Sequence, residues 1–131
     1  MLKVFREDSL SWGLAGGRGI ASYMNDGGTD LAPGERLRAE AVSSLGWFLY
    51  YGHTWTPGLT SAIGYSEHRQ DNTAGQANNA FRTGSYASVN LLYSFTPSVM
   101  FGGEYLWGRR ENRDGSAASD SRIQFSTRVS F

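Results

Sequence analysis

Cysteine is missing from all 131 residues, which excludes disulfide scaffolds, thiolate metal sites and cysteine nucleophiles together. Lysine is nearly missing, because Lys3 is the only one among twelve basic residues and the rest are arginine. Net charge is missing as well: twelve acidic residues cancel the twelve basic ones, so no field marks a nucleic-acid binder. No run approaches the roughly 18 apolar residues of a membrane helix, which excludes helical spanning. Met1 to Leu10 carries Lys3, Arg6, Glu7 and Asp8 and no apolar h-region, so a secretory signal would have to lie upstream. Glycine and aromatic residues are plentiful instead: seventeen glycines, four tryptophans, seven tyrosines and seven phenylalanines. That much aromatic surface argues against disorder, and the length fits one domain.

The hydrophobic period is two, the period of a β-strand. In Ser121 to Phe131 the odd positions are Ile123, Phe125, Thr127, Val129 and Phe131, while Arg122, Gln124, Ser126, Arg128 and Ser130 alternate with them. Ser85 to Phe95 repeats the parity through Ala87, Val89, Leu91, Tyr93 and Phe95, with Leu92 the exception. Val99 to Trp107, Leu59 to Tyr65, and Leu37 to Trp55 from Leu45 onward follow suit, and Ser9 to Leu14 alternates weakly through Leu10, Trp12 and Leu14. Thr56-Pro57-Gly58 and Thr96-Pro97-Ser98 read as tight turns. Long polar loops are expected near residues 16–34, 70–83 and 112–120, the first including Gly16-Gly17-Arg18-Gly19 and Asn25-Asp26-Gly27-Gly28.

Short turns alternating with long loops are the asymmetry of an outer-membrane barrel. A soluble sandwich also alternates, but its polar face carries lysine and acids freely. Here that face is Gly, Ser, Thr, Asn, Gln and Arg, and the other carries aromatics near strand ends. Trp55, Phe95 and Phe131 sit beside a short turn or the terminus, with Trp47, Tyr65 and Trp107 about eight residues away. At about 3.3 Å per residue this is roughly 26 Å, close to the apolar band of a membrane barrel. The expected fold is therefore all-β: an antiparallel up-and-down meander of five or six spanning strands, with Met1 to Val4 a stub of another. So few strands do not close alone, and an open edge in lipid is costly. The chain reads as the C-terminal part of a larger transmembrane β-barrel.

Four stretches carry a family resemblance: Tyr51-Gly52-His53-Thr54-Trp55-Thr56-Pro57, Val89-Asn90-Leu91-Leu92-Tyr93-Ser94, Gly103 to Asn112, and Arg122 to Phe131. The chain resembles the DcaP-like porins of proteobacterial outer membranes over most of residues 5–131, most specifically from Glu104 to Asn112. The resemblance implies a trimeric, many-stranded channel for passive uptake of small, often anionic, solutes, with no bond chemistry and no cofactor. It also implies contact with lipid bilayer and lipopolysaccharide. The ending, with Phe125, Val129 and Phe131, looks like the signal read by the barrel-assembly machinery. The chain departs from the family at Gly19-Ile20-Ala21-Ser22-Tyr23, where the family commonly has Gly-Arg-Tyr, so a pore role for that arginine does not carry over.

Parity assigns Glu104, Arg110, Arg122, Arg128 and Asn90 to the channel-lining face. Pairing Val129 with Gly103 would set Glu104 opposite Arg128 and Arg110 opposite Arg122, the latter a like-charged pair that would attract an anion. The plainer reading of that pair is neutralisation by Glu111, Asp114 or an acid of another strand, and Glu104 with Arg128 reads as a wall-stiffening pair. Pairing Phe95 with Val99 would place Asn90 beside Glu104, and Gly64 is expected to face Tyr50. His53 and Ser61 share the lipid-facing parity, but no acid is apparent beside them, so a barrel hydrolase lacks its third group. His53 instead sits where it can hydrogen-bond a headgroup. Gly17-Arg18-Gly19 is not followed by the helix that a phosphate loop needs, and the polar loops lack EF-hand spacing. A soluble ligand-binding β-barrel is the alternative.

Overall fold

The computed structural model describes residues 2–4, 8–24, 28–35 and 38–131. It is all-β, and the described residues form nine strands: β1 (Leu2–Val4), β2 (Asp8–Arg18), β3 (Leu31–Pro33), β4 (Ala39–Ala41), β5 (Ser43–Thr56), β6 (Leu59–Asp71), β7 (Phe81–Thr96), β8 (Val99–Asn112) and β9 (Ala117–Val129). Seven form one antiparallel sheet in the order β1-β2-β5-β6-β7-β8-β9, and β3 and β4 pair separately. The sheet is open, with β1 and β9 at its edges. The expected meander is present; Met1, Leu37 and Asn25 to Gly27, which entered the sequence reading, lie outside the described residues.

Strand formation follows the alternation, and the turns follow their residues. Pro57-Gly58 and Pro97-Ser98 each close a two-residue connection, with a register shift just beside it, at Thr54/Thr56 and Ser94/Thr96. Each turn is tied to the chain beside its hairpin: the Ser94 amide of β7 donates to the Gly58 carbonyl at 2.7 Å, and the Ser130 amide, just after β9, to that of Ser98 at 2.8 Å.

Three loop expectations change. Gly16, Gly17 and Arg18 belong to β2, paired with Leu45, Ser44 and Ser43, since β5 supplies the ladder that these residues lack locally. The 70–83 loop shrinks to residues 72–80 because β6 runs on to Asp71 and β7 starts at Phe81. The 112–120 loop shrinks furthest, to residues 113–116. There the Asn112 amide donates to the Ser116 carbonyl at 2.8 Å, Asp114 Oδ1 accepts from the Ser116 amide and hydroxyl, and Gly115 takes φ +82°. Asp-Gly at that position makes a tight turn, so Ala117 to Asp120 extend the strand.

The sheet has an apolar face and a polar one. Odd positions of β5, β6, β8, β9 and of β7 from Thr83 share the apolar face with even positions of β2, as Trp12 opposite Leu49 and Leu14 opposite Trp47 show, whereas Phe81, beyond the register shift at Phe81/Thr83, turns to the polar face against His68. On it Trp55, Ile63, Phe95, Ile123, Phe125 and Val129 are all exposed. Buried apolar side chains among the described residues are few: Ala21, Ala32, Val42 and Leu106. Three of these belong to the segment between β2 and β5, which lies on the polar face. The described residues have almost no interior of their own.

Rings on the polar face lie over glycines of adjacent strands. Phe48 covers Gly13, Tyr50 covers Gly64, and Leu92 approaches Gly102. The Gly64–Tyr50 apposition is the one expected from sequence, in direct register. A Cβ at Gly64 would overlap the Tyr50 ring close to its root, where a rotation gives little relief. Gly64→Ala should therefore destabilise the folded sheet by about 1–3 kcal/mol, an overpacking cost. A urea titration followed by tryptophan fluorescence reads this, and adding Tyr50→Ala should restore much of the loss.

Candidate functional site

The polar face is built by register. β7 pairs with β8 so that Asn90 stands opposite Glu104 as expected, although Val99 itself pairs with Thr96 rather than Phe95, across the register shift at Ser94/Thr96. The last hairpin does not follow its expected register. Val129 pairs with Val99 rather than Gly103, a displacement of four residues set by the short turn at residues 113–116.

Both arginine expectations change with it. Glu104 stands opposite Gln124, Arg128 opposite Met100, Arg110 opposite Ala118 and Arg122 opposite Leu106. Arg110 and Arg122 are thus four residues apart along the strands, about 13 Å, and do not form a like-charged pair. Glu104 and Arg128 are separated by the same step, so the wall-stiffening pair is absent. Instead Arg122 is the diagonal neighbour of Glu104, at the roughly 7–8 Å Cα spacing of such positions. Both charges, with Tyr50, act electrostatically on the Tyr86 hydroxyl. The middle of the polar face therefore holds an acid, a base and two phenols together. Arg110 is occupied locally: its Nε donates to Asn112 Oδ1 at 2.9 Å, and its guanidinium lies 5.6 Å from the Phe81 ring centre.

The segment between β2 and β5 crosses this face at the end carrying the longer connections. Met24 places its thioether over Gly46, Gly28 packs against His68, and the Thr29 amide donates to Gln70 Oε1 at 3.3 Å. Thr73 Oγ1 donates to the Pro33 carbonyl at 2.6 Å, joining the segment to the 72–80 connection. His68 and Gln70 are buried beneath it, and neither His68 ring nitrogen has a partner among the described residues. Asp30 anchors the segment by accepting from the Ser22 amide at 2.9 Å. That bond holds its carboxyl below the usual range. A depressed folded value means the anchor is complete above the ordinary carboxylate range and is lost as the pH falls through the folded one. Acid titration should thus lower the protection factor of the Ser22 amide, taken against intrinsic exchange at each pH, and Asp30→Asn should show the lowered protection already at neutral pH.

Arg113 ties the 72–80 connection to the last turn: its Nη1 donates to the carbonyls of Gln76 at 2.6 Å and Thr73 at 3.2 Å. Charged hydrogen bonds of this kind contribute about 1.5–3 kcal/mol. Arg113→Ala should reduce hydrogen-exchange protection in residues 72–80 by roughly tenfold or more, leaving the strands unaffected.

The apolar face carries a polar group that the sequence reading missed. One step beyond the Ser9–Gly52 pair, Asp8 meets His53 across β2 and β5. Asp8 Oδ1 and His53 Nδ1 are 2.7 Å apart, and the Tyr51 hydroxyl donates to Asp8 Oδ2 at 2.6 Å. On its other side His53 is in register with Ser61 of β6, as expected from parity. The expectation that no acid lies beside His53 is therefore corrected. The even face of β2 joins the odd face of β5, and a pairing across the long intervening segment cannot be read from local pattern. The only available signal was the odd–even switch itself, an acid placed in line with Leu10, Trp12 and Leu14. Comparison with family models, curated proteins and solved structures finds no match to the chain.

Proposed function

We propose that the chain is part of an outer-membrane porin: its open sheet supplies a section of wall to a passive diffusion channel for small hydrophilic solutes, anions among them. The exposed apolar face carries this reading. Trp55, Ile63, Phe95, Phe125 and Val129 are each 59% or more exposed, on a sheet whose described residues bury almost nothing apolar. An apolar face of this extent needs a partner or a hydrocarbon solvent. The girdle arrangement supports hydrocarbon: Trp55 and Phe95 stand at the short-turn end, and Trp47 and Tyr65 meet at 5.4 Å toward the other. β9 has every residue exposed and β1 is a three-residue stub, so further strands at both edges complete the wall.

In this reading the polar face borders water. The diagonal Glu104 and Arg122, with Asn90, Tyr50 and Tyr86, line its middle, Arg110 its outer end and Arg128 its short-turn end. The segment between β2 and β5 narrows the passage. The full-length protein is proposed to be a homotrimer without cofactor or catalytic activity, delivered by the barrel-assembly machinery through Phe125, Val129 and Phe131.

The refolded chain should be monodisperse by size exclusion only with detergent, and brominated phospholipids should quench its tryptophan fluorescence. Monodispersity without detergent would establish the soluble ligand-binding alternative. In channels containing this wall, Arg122→Ala should lower anion over cation selectivity in single-channel recordings. Arg110→Ala should change it less, since that guanidinium is already engaged by Asn112 and Phe81.

A further inference from the structure

Asp8, His53 and Ser61 form a transverse row over β2, β5 and β6 on the face that should be purely apolar. A carboxylate on a lipid-facing wall is costly unless it is fully engaged. Asp8 is engaged: one oxygen meets His53 Nδ1 and accepts from the Thr54 amide at 3.4 Å, the other accepts from Tyr51, and the residue is only 7% exposed. Its charge is directed at these donors rather than outward. With Nδ1 committed to Asp8, Nε2 is the ring nitrogen left to face away from the pair. Trp55 completes the arrangement: its ring meets that of His53 edge-on at 4.4 Å, and Nε1–H donates to Ser61 Oγ at 2.9 Å. An oxygen that accepts from the indole keeps its own hydrogen to donate elsewhere.

Directly beside this row, one side-chain step of about 7 Å along the strands, a groove begins. Tyr51 and Ile63 form its near end, and Leu49, Val89 and Tyr105 continue it across the sheet. Its volume is about 470 Å³ and its lining is almost wholly apolar, within the range of small-molecule sites. Two outward donors at the end of an apolar groove match a molecule with an anionic ester at one end and a hydrocarbon chain at the other. The row also lies at the short-turn end of the sheet, close to Pro57, which the porin reading places at the periplasmic leaflet.

We infer that this row and groove form a site for one phospholipid, its phosphodiester held by His53 Nε2 and Ser61 Oγ and an acyl chain laid along Leu49, Ile63 and Val89. Asp8 and Trp55 are positioning residues: Asp8 orients the imidazole through Nδ1, and Trp55 orients the hydroxyl. The inference rests on the porin reading, and the two fail differently. A chain monodisperse without detergent would overturn the porin reading, whereas a detergent-requiring chain without headgroup preference would overturn only this site.

The test mixes the folded chain in detergent with equal amounts of dioleoyl phosphatidylglycerol and dioleoylglycerol, which share chains but not phosphate, and counts retained adducts by native mass spectrometry. Wild type should retain the phospholipid about tenfold better, the increment of one charge-assisted hydrogen bond. Ser61→Ala, which leaves the Asp8 network intact, should bring the ratio most of the way to parity, and His53→Phe fully. Equal retention by wild type, or an unchanged ratio in the Ser61→Ala protein, overturns the site. Release of lysophospholipid by wild type but not by Ser61→Ala also overturns it, by showing that the row is a hydrolase and not a holding site.

Discussion

The constraint behind every feature of this chain is that a β-strand turns successive side chains to opposite sides, while its backbone amides are satisfied only by lateral neighbours. The first half lets one strand serve two environments: Phe101, Gly103 and Tyr105 on one side, Met100, Gly102 and Glu104 on the other. The second half makes each strand depend on the register of the next. A displacement of four residues in the last hairpin preserves every face and changes every partner. The faces of Arg122 and Arg128 are thus fixed by parity alone, whereas their neighbours are fixed by four residues of turn.

This divides what could be read from the sequence from what could not. Strand faces from Leu45 onward, the tight turns at Pro57 and Pro97, the Asn90–Glu104 pair and the Gly64–Tyr50 contact were legible because each depends on period or on a two-residue connection. The last register was not. Asp114-Gly115 sits in a polar run from Asn112 to Asp120 that resembles a long loop, and only the Ser116 bonds to Asn112 and Asp114 show it to be a tight turn. β2 was harder still, since its partner β5 lies beyond more than twenty intervening residues. The glycines at 16 and 17 look like loop until β5 is placed beside them. Asp8 was lost for the same reason: an acid between unplaced neighbours carries no sign of the histidine that it will meet.

The two sides of the sheet treat their charged groups differently. On the polar face Glu104 and Arg122 stand near each other without a closed ion pair. On the apolar face Asp8 is enclosed by three partners from β5, so that an ionisable group sits among aromatic rings with its hydrogen-bonding capacity filled. Interior polar networks in soluble proteins obey the same requirement, here met on an outer surface.

The aromatic side chains laid across Gly13 and Gly64 have one more effect. A ring standing upright from the sheet would project several ångströms into the space above it. Phe48 and Tyr50 lie down across neighbouring backbone instead, which the missing β-carbons permit. The height of this face above the backbone is therefore governed by the thickness of a flat ring rather than by the length of a side chain.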